Sequence, residues 1–122
     1  MRVRMEAWDN TRRPEIIMTQ DLLAKHCDPK SPALSEEQVK RYLADVKGWE
    51  RAGKQISKTF SFKDYYHTMA FVNALAYVSH QQDHHPDLEV GYNKCVVHYS
   101  SHDAGGLSEN DLICAAHADA LV

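Results

Sequence analysis

The amino-acid sequence predicts an α+β fold in two layers: a four-stranded antiparallel sheet with three helices on one face, in the order α-β-β-α-β-β-α. Three observations carry this reading. Two stretches of strand-like residues are each split by a turn signal, at Ala52-Gly53-Lys54 and at Tyr92-Asn93. A long helical pattern lies between them, and shorter ones flank them. Strands that come in hairpin pairs on either side of a helix form an antiparallel sheet with the helices on one side.

Residues 1–20 show no sustained period, and Asp21 to His26 allow one turn of helix before Pro29 and Pro32 break the pattern. Residues 1–33 are therefore expected to be an N-terminal extension, with the domain proper at 34–122. The first full helix is expected over 36–47. Ser35 and Gln38 form a capping-box pattern, Val39, Tyr42, Leu43 and Val46 make one apolar stripe, and Gly48 stops it. Trp49 to Phe62 reads as a hairpin in which Ile56, Phe60 and Phe62 share a parity that Lys58 interrupts.

Lys63 to Gln82 carries the long helix, with Phe71, Val72, Leu75 and Val78 on one face. Leu88 to Gly91 and Lys94 to Ser101 form the second strand pair. In the latter, Cys95, Val97 and Tyr99 point one way and Val96, His98 and Ser100 the other. A last helix runs from Ser108 to about Ala120. One layer of helices leaves a sheet face uncovered, so self-association is expected, with Val96 on that face.

Composition narrows the function. A chain of 122 residues, 43% hydrophobic and 25% charged, is sized for one globular domain. A net charge of -3 argues against bulk attraction to nucleic acid. Cys27, Cys95 and Cys114 are odd in number and form no CxxC pair, which points away from a disulfide framework and toward a reducing compartment. No apolar run spans a bilayer and no secretory h-region opens the chain, so a cytoplasmic location is expected.

Histidine is the unusual component: eight in the chain, five of them between residues 80 and 102. The cluster is His80, Asp83, His84, His85 and Pro86, followed by Tyr92, His102 and Asp111. Pro86 forces His85 out of the helical region, so the long helix ends near His84 and adjacent imidazoles diverge. His102 ends the last strand, and two element ends thus meet at one rim of the sheet.

Three readings stand side by side. Histidines and Asp111 suit element ends in any protein, and Ser108-x-x-Asp111 is a capping pattern that needs no catalysis. His80 and His84, four apart, with His102 as a third ligand, would make a zinc site, though no HExxH or HxH signature is present. Several imidazoles around one substrate can also donate and accept protons at neutral pH, which suits elimination of water without a metal.

His80-x3-His84-His85-Pro86-x5-Tyr92-x9-His102-x8-Asp111 resembles, gap for gap, the signature of the pterin-4a-carbinolamine dehydratases (4a-hydroxytetrahydrobiopterin dehydratases). GWE at 48–50, FxFKD at 60–64 and the run from Asp83 to Leu112 resemble them too, so the likeness covers roughly residues 34–121. The resemblance implies removal of water from 4a-hydroxytetrahydropterin, the form in which aromatic amino-acid hydroxylases leave their cofactor, to give the quinonoid dihydropterin.

In that reading His84 and His85 protonate the departing hydroxyl and His102 handles the N5 proton. His80, where the family more usually has an acid, and Asp111 orient histidines or hold the pterin, with Pro86 and Tyr92 completing the binding surface. The pterin is the substrate, and no metal or bound cofactor is implied. The resemblance further implies a homodimer or homotetramer, a hydroxylase as pathway partner, and a transcription-factor partner as the alternative role of a non-catalytic dimerisation module, which would add a nuclear location.

Overall fold

Ser35 and Gln38 close the capping box expected of them. The Gln38 amide donates to Ser35 Oγ at 3.2 Å, and the Ser35 amide donates to Gln38 Oε1 at 2.9 Å. Helix α1 (Glu36–Asp45) follows in this computed structural model, which describes residues 21–122. The reading of residues 1–20 lies outside the described residues. Val39 is buried on the inner face of α1, and the chain is extended by Val46, slightly before the expected end at 47.

Strands β1 (Glu50–Ala52) and β2 (Gln55–Ser61) pair through a two-residue turn in which Gly53 takes φ +64°. Helix α2 (Tyr65–Gln82) begins after Asp64, whose Oδ1 accepts the His67 amide at 2.8 Å. Its buried positions Thr68, Phe71, Leu75, Ser79 and Gln82 recur at helical spacing. Strands β3 (Asp87–Val90) and β4 (Lys94–Ser100) and helix α3 (Glu109–Asp119) complete the domain.

All neighbouring strands are antiparallel, in the order β1-β2-β4-β3. The fold class is the one the sequence predicts. Ile56 and Phe60 of β2 and Cys95, Val97 and Tyr99 of β4 turn inward, where Phe71 and Leu75 of α2 and Leu112 and Ile113 of α3 share their core. Trp49 packs edge-on against Phe60, with centroids 6.0 Å apart, and donates its indole proton to Asp119 Oδ2 at 3.1 Å.

Lys58, which breaks the apolar alternation, is on the inward parity opposite Val97. Its ammonium reaches the end of α3, donating to Asp119 Oδ1 at 2.8 Å and to the Lys47 carbonyl at 3.0 Å. A long stem lies along apolar surface and the charge finds partners at the edge. The opposite sheet face is polar: His98 meets Ser57 Oγ at 2.6 Å through Nδ1 and Glu89 Oε2 at 2.5 Å through Nε2, joining three strands around Val96.

Residues 21–33 pack on the domain. Residues 21–24 are helical and Leu22 is buried in the core. The Cys27 amide donates to Gln82 Oε1 at 2.7 Å. The Asp28 amide donates to Asn110 Oδ1 at 3.0 Å, while Asn110 Nδ2 donates to the Asp28 carbonyl at 2.8 Å. The segment is thereby tied to the end of α2 and the start of α3.

Candidate active site

The long helix stops because Asp83 adopts a left-handed conformation, φ 51° and ψ 41°, with its amide turned back to the His80 carbonyl at 3.3 Å. The next residue leaves the helical track. The His84 amide donates to the Ser79 carbonyl at 3.2 Å, and its ring lies almost parallel to that of Tyr99, with 5.9 Å between centroids. Tyr99 is fully buried on β4, so His84 rests on a fixed aromatic plate.

Asp111 fixes the other edge of the ring. His84 Nε2 meets Asp111 Oδ1 at 2.7 Å, and Asp111 has no exposure to solvent. Its second oxygen, Oδ2, accepts from the Ser108 amide at 3.0 Å and from the Ser101 hydroxyl at 2.7 Å. Asp111 thus caps the last helix with one oxygen and meets His84 with the other.

Burial works against a charge on His84. The hydrogen bond and negative charge of Asp111 outweigh it, so the imidazole pKa is raised above the ordinary histidine value. With Nε2 committed to Asp111, Nδ1 is the ring nitrogen left for a ligand. On that nitrogen His84 carries a proton when charged and a lone pair when neutral.

His84, His85 and His102 line one cavity of about 510 Å³, within the usual range for a small organic ligand. Gln81 and Asp83 form the α2 side, and Ser101 and Ala104 the β4 side. His85 and His102 are both exposed. A second concavity of about 290 Å³ shares His102, Ser100 and Ser101, and extends to Lys54 and Gly106.

The other candidate residues lie elsewhere. His80 is exposed on α2 and is not among the residues lining either concavity, and neither is Pro86. Tyr92 is 66% exposed, stacks on Tyr65 at 6.4 Å, and accepts the Thr68 hydroxyl with its backbone carbonyl. His80 and His84 are separated by the helix end, which undoes the i,i+4 relation the zinc reading used. Among the described residues no group of three or more His, Cys, Asp and Glu side chains is placed to hold a metal ion.

Sequence reasoning missed four contributors. Tyr99 was legible as an inward residue of β4, but not as the support of His84. Ser101 gave only its position next to His102. Cys27 and Asn110 reach the cavity through contacts spanning more than half the chain, which no local pattern signals.

A family model described as pterin 4 alpha carbinolamine dehydratase matches residues 32–121. A protein of Nitrosospira multiformis named for pterin-4-alpha-carbinolamine dehydratase is 56% identical over 104 residues, covering 83% of this chain and 92% of that protein. One of Bdellovibrio bacteriovorus with the same name is 51% identical over 105 residues, covering 83% and 88%. Among solved structures, a transcriptional coactivator/pterin dehydratase from Brucella melitensis superposes with a TM-score of 0.71 at 27% identity, over 73% of this chain and 97% of that one. A pterin dehydratase-like protein identified as a RuBisCO assembly factor in the alpha-carboxysome gives a TM-score of 0.54 at 30% identity, over 61% and 88%.

Proposed function

The chain belongs to the pterin 4 alpha carbinolamine dehydratase family, and from that membership we propose that it removes water from 4a-hydroxytetrahydrobiopterin by histidine acid–base chemistry. The product is the quinonoid dihydropterin, returned to the recycling of a hydroxylase cofactor. The observation that carries the mechanism is the His84–Asp111 pair at the wall of a cavity shared with His85 and His102.

Dehydration breaks the C4a–O bond and the N5–H bond and forms a C=N bond. His84 is suited to the acid role, because Asp111 favours its charged form and leaves Nδ1–H free to meet the departing hydroxyl. His85 assists at the same oxygen, and His102, across the cavity, takes the N5 proton. His80, Pro86 and Tyr92 are assigned a supporting part in holding the pterin from outside the cavity lining.

Stopped-flow dehydration of freshly generated 4a-hydroxytetrahydrobiopterin tests this against the spontaneous reaction. The parent should accelerate water loss with or without chelator, and His84→Ala/His102→Ala should fall to background. Acceleration that disappears with chelator would return the zinc reading.

A second reading has its own observation. Tyr65, Tyr66 and Tyr77 of α2 are all more than half exposed, and one structural neighbour is identified as an assembly factor. Exposed aromatic side chains of this kind suit contact with a second copy of the chain or another protein better than the polar sheet face does. A well-folded protein without dehydratase activity would make such an interaction module the working assignment. Among the described residues no helix is long and apolar enough to cross a membrane.

A further inference from the structure

We propose that Cys27 and Cys114 are a peroxide-responsive thiol pair that closes to a disulfide in the wall of the histidine cavity. Cys27 stands before the stretch matched by the family model, and it lines the cavity. Cys114 is fully buried on α3, about one turn beyond Asp111. Their sulfur atoms are 3.5 Å apart, although 87 residues of chain separate them.

The approach is held from both sides. Gln82 grips the Cys27 amide and Asn110 clamps both backbone groups of Asp28, so the thiol is presented to α3 by fixed backbone. Closing from contact to a bond of about 2.05 Å asks for a shift of only ~1.5 Å. Cys95, buried on β4 and also a free thiol, is not part of this contact.

The two thiols differ in character. The hydrogen bond with Cys114 lowers the Cys27 pKa against the effect of its partial burial, and the positive charge of His84 adds to the lowering. That same contact, together with burial, raises Cys114. Cys27 is accordingly the cavity-facing nucleophile and Cys114 the resolving thiol.

With hydrogen peroxide as the oxidant, the Cys27 thiolate attacks one oxygen and the O–O bond breaks. The hydroxide released takes up the proton that the thiol shed, giving water and a sulfenic acid on Cys27. Cys114 sulfur then attacks the Cys27 sulfur, the S–O bond breaks, and the hydroxyl leaves as water with the Cys114 proton. Two thiols are oxidised and one peroxide becomes two waters. The disulfide covalently tethers the segment before the domain to the helix that carries Asp111.

Reduced full-length protein treated with hydrogen peroxide and examined by intact mass and peptide mapping tests this. The expected product has lost two hydrogens, links Cys27 to Cys114 within one chain, and is reversed by dithiothreitol. Its melting temperature should rise by on the order of 10 °C, because the bond closes a long loop of the unfolded chain. Cys114→Ala should accumulate a Cys27 sulfenic acid that dimedone traps, and Cys27→Ser should leave Cys114 unmodified. Conversion of parent Cys27 directly to sulfinic acid, or links through Cys95 or between copies, would overturn the proposal. The parent mapping decides the matter even where Cys114→Ala does not fold.

Discussion

Asp111, with no solvent exposure, holds His84 Nε2 at 2.7 Å, so an imidazole that lines the cavity is fixed by a carboxylate that the cavity itself does not reach. The same carboxylate caps α3. The His84 contact and the helix start therefore share one side chain.

Asp111→Asn keeps the size of the side chain and removes its charge. Burial then acts on His84 against only the weaker charge effects of Cys27 and Asp83, and its pKa should fall. Dehydratase activity should drop about 10–100-fold, the usual range for loss of a partner that orients a functional group. The alkaline limb of the pH–rate profile should move to lower pH. An unchanged limb would remove His84 from the acid role.

Stability should follow the same group. Because the folded state raises the His84 pKa, its contribution is fully present below the unfolded value of 6.5 and is lost as pH rises through the folded value. Urea denaturation across that window should show a decline in the parent that Asp111→Asn flattens. A parallel decline in both proteins would assign it to another group.

Tyr99→Phe should stabilise the fold by about 1 kcal/mol, since a desolvated hydroxyl without a partner is costly. The Tyr99 hydroxyl faces Ser79, whose own hydroxyl donates instead to the Leu75 carbonyl at 2.8 Å, so that among the described residues no hydrogen bond of ordinary geometry reaches it. The ring and its stack on His84 are retained. A lower melting temperature in the variant would show that the hydroxyl is satisfied.

Gly48→Ala should cost about 1–2 kcal/mol, the usual penalty for a side chain in the left-handed region. Gly48 has φ +88°, and a Cβ there would meet Lys58 Cε at 3.0 Å. Lys58 would have to shift from its contacts with Lys47 and Asp119. Chemical denaturation measures the loss, and a variant as stable as the parent would refute it.

Asn110→Ala should release residues 21–33 while costing about 1–3 kcal/mol for the abandoned backbone groups of Asp28. Amide exchange at Cys27 and Asp28 should accelerate, with early proteolytic cutting before residue 34. Unaltered exchange there would mean that the segment is held mainly by Leu22 in the core.

What could be read from the sequence was local. Ser35–Gln38 and Ser108–Asp111 were legible because a capping box spans three residues, and the strand parities because an inward face must be apolar. The likeness in spacing gathered His84, His85, His102 and Asp111, which the fold brings to one place. His80 and His84 would share a face only on a continuous helix, and the left-handed Asp83 turns the chain before the second of them. The packing of residues 21–33 was not legible, because Asn110 and Gln82 reach backbone groups there, and the side-chain contacts of His26 and Lys25 with Gln82 and Glu109 join residues more than 50 positions apart.

The strand order carries a consequence for how the chain reaches its native state. The central pair β2–β4 joins Ser61 to Lys94 at its nearest point, so the middle of the sheet closes only after the whole of α2 and the β3 hairpin have been drawn in. The entropy of that closure falls on the barrier to folding, whereas the β1 hairpin forms from neighbours. Truncations at Ile56 or Val97, in the late-closing seam, thus bear on the speed of refolding as well as on its endpoint.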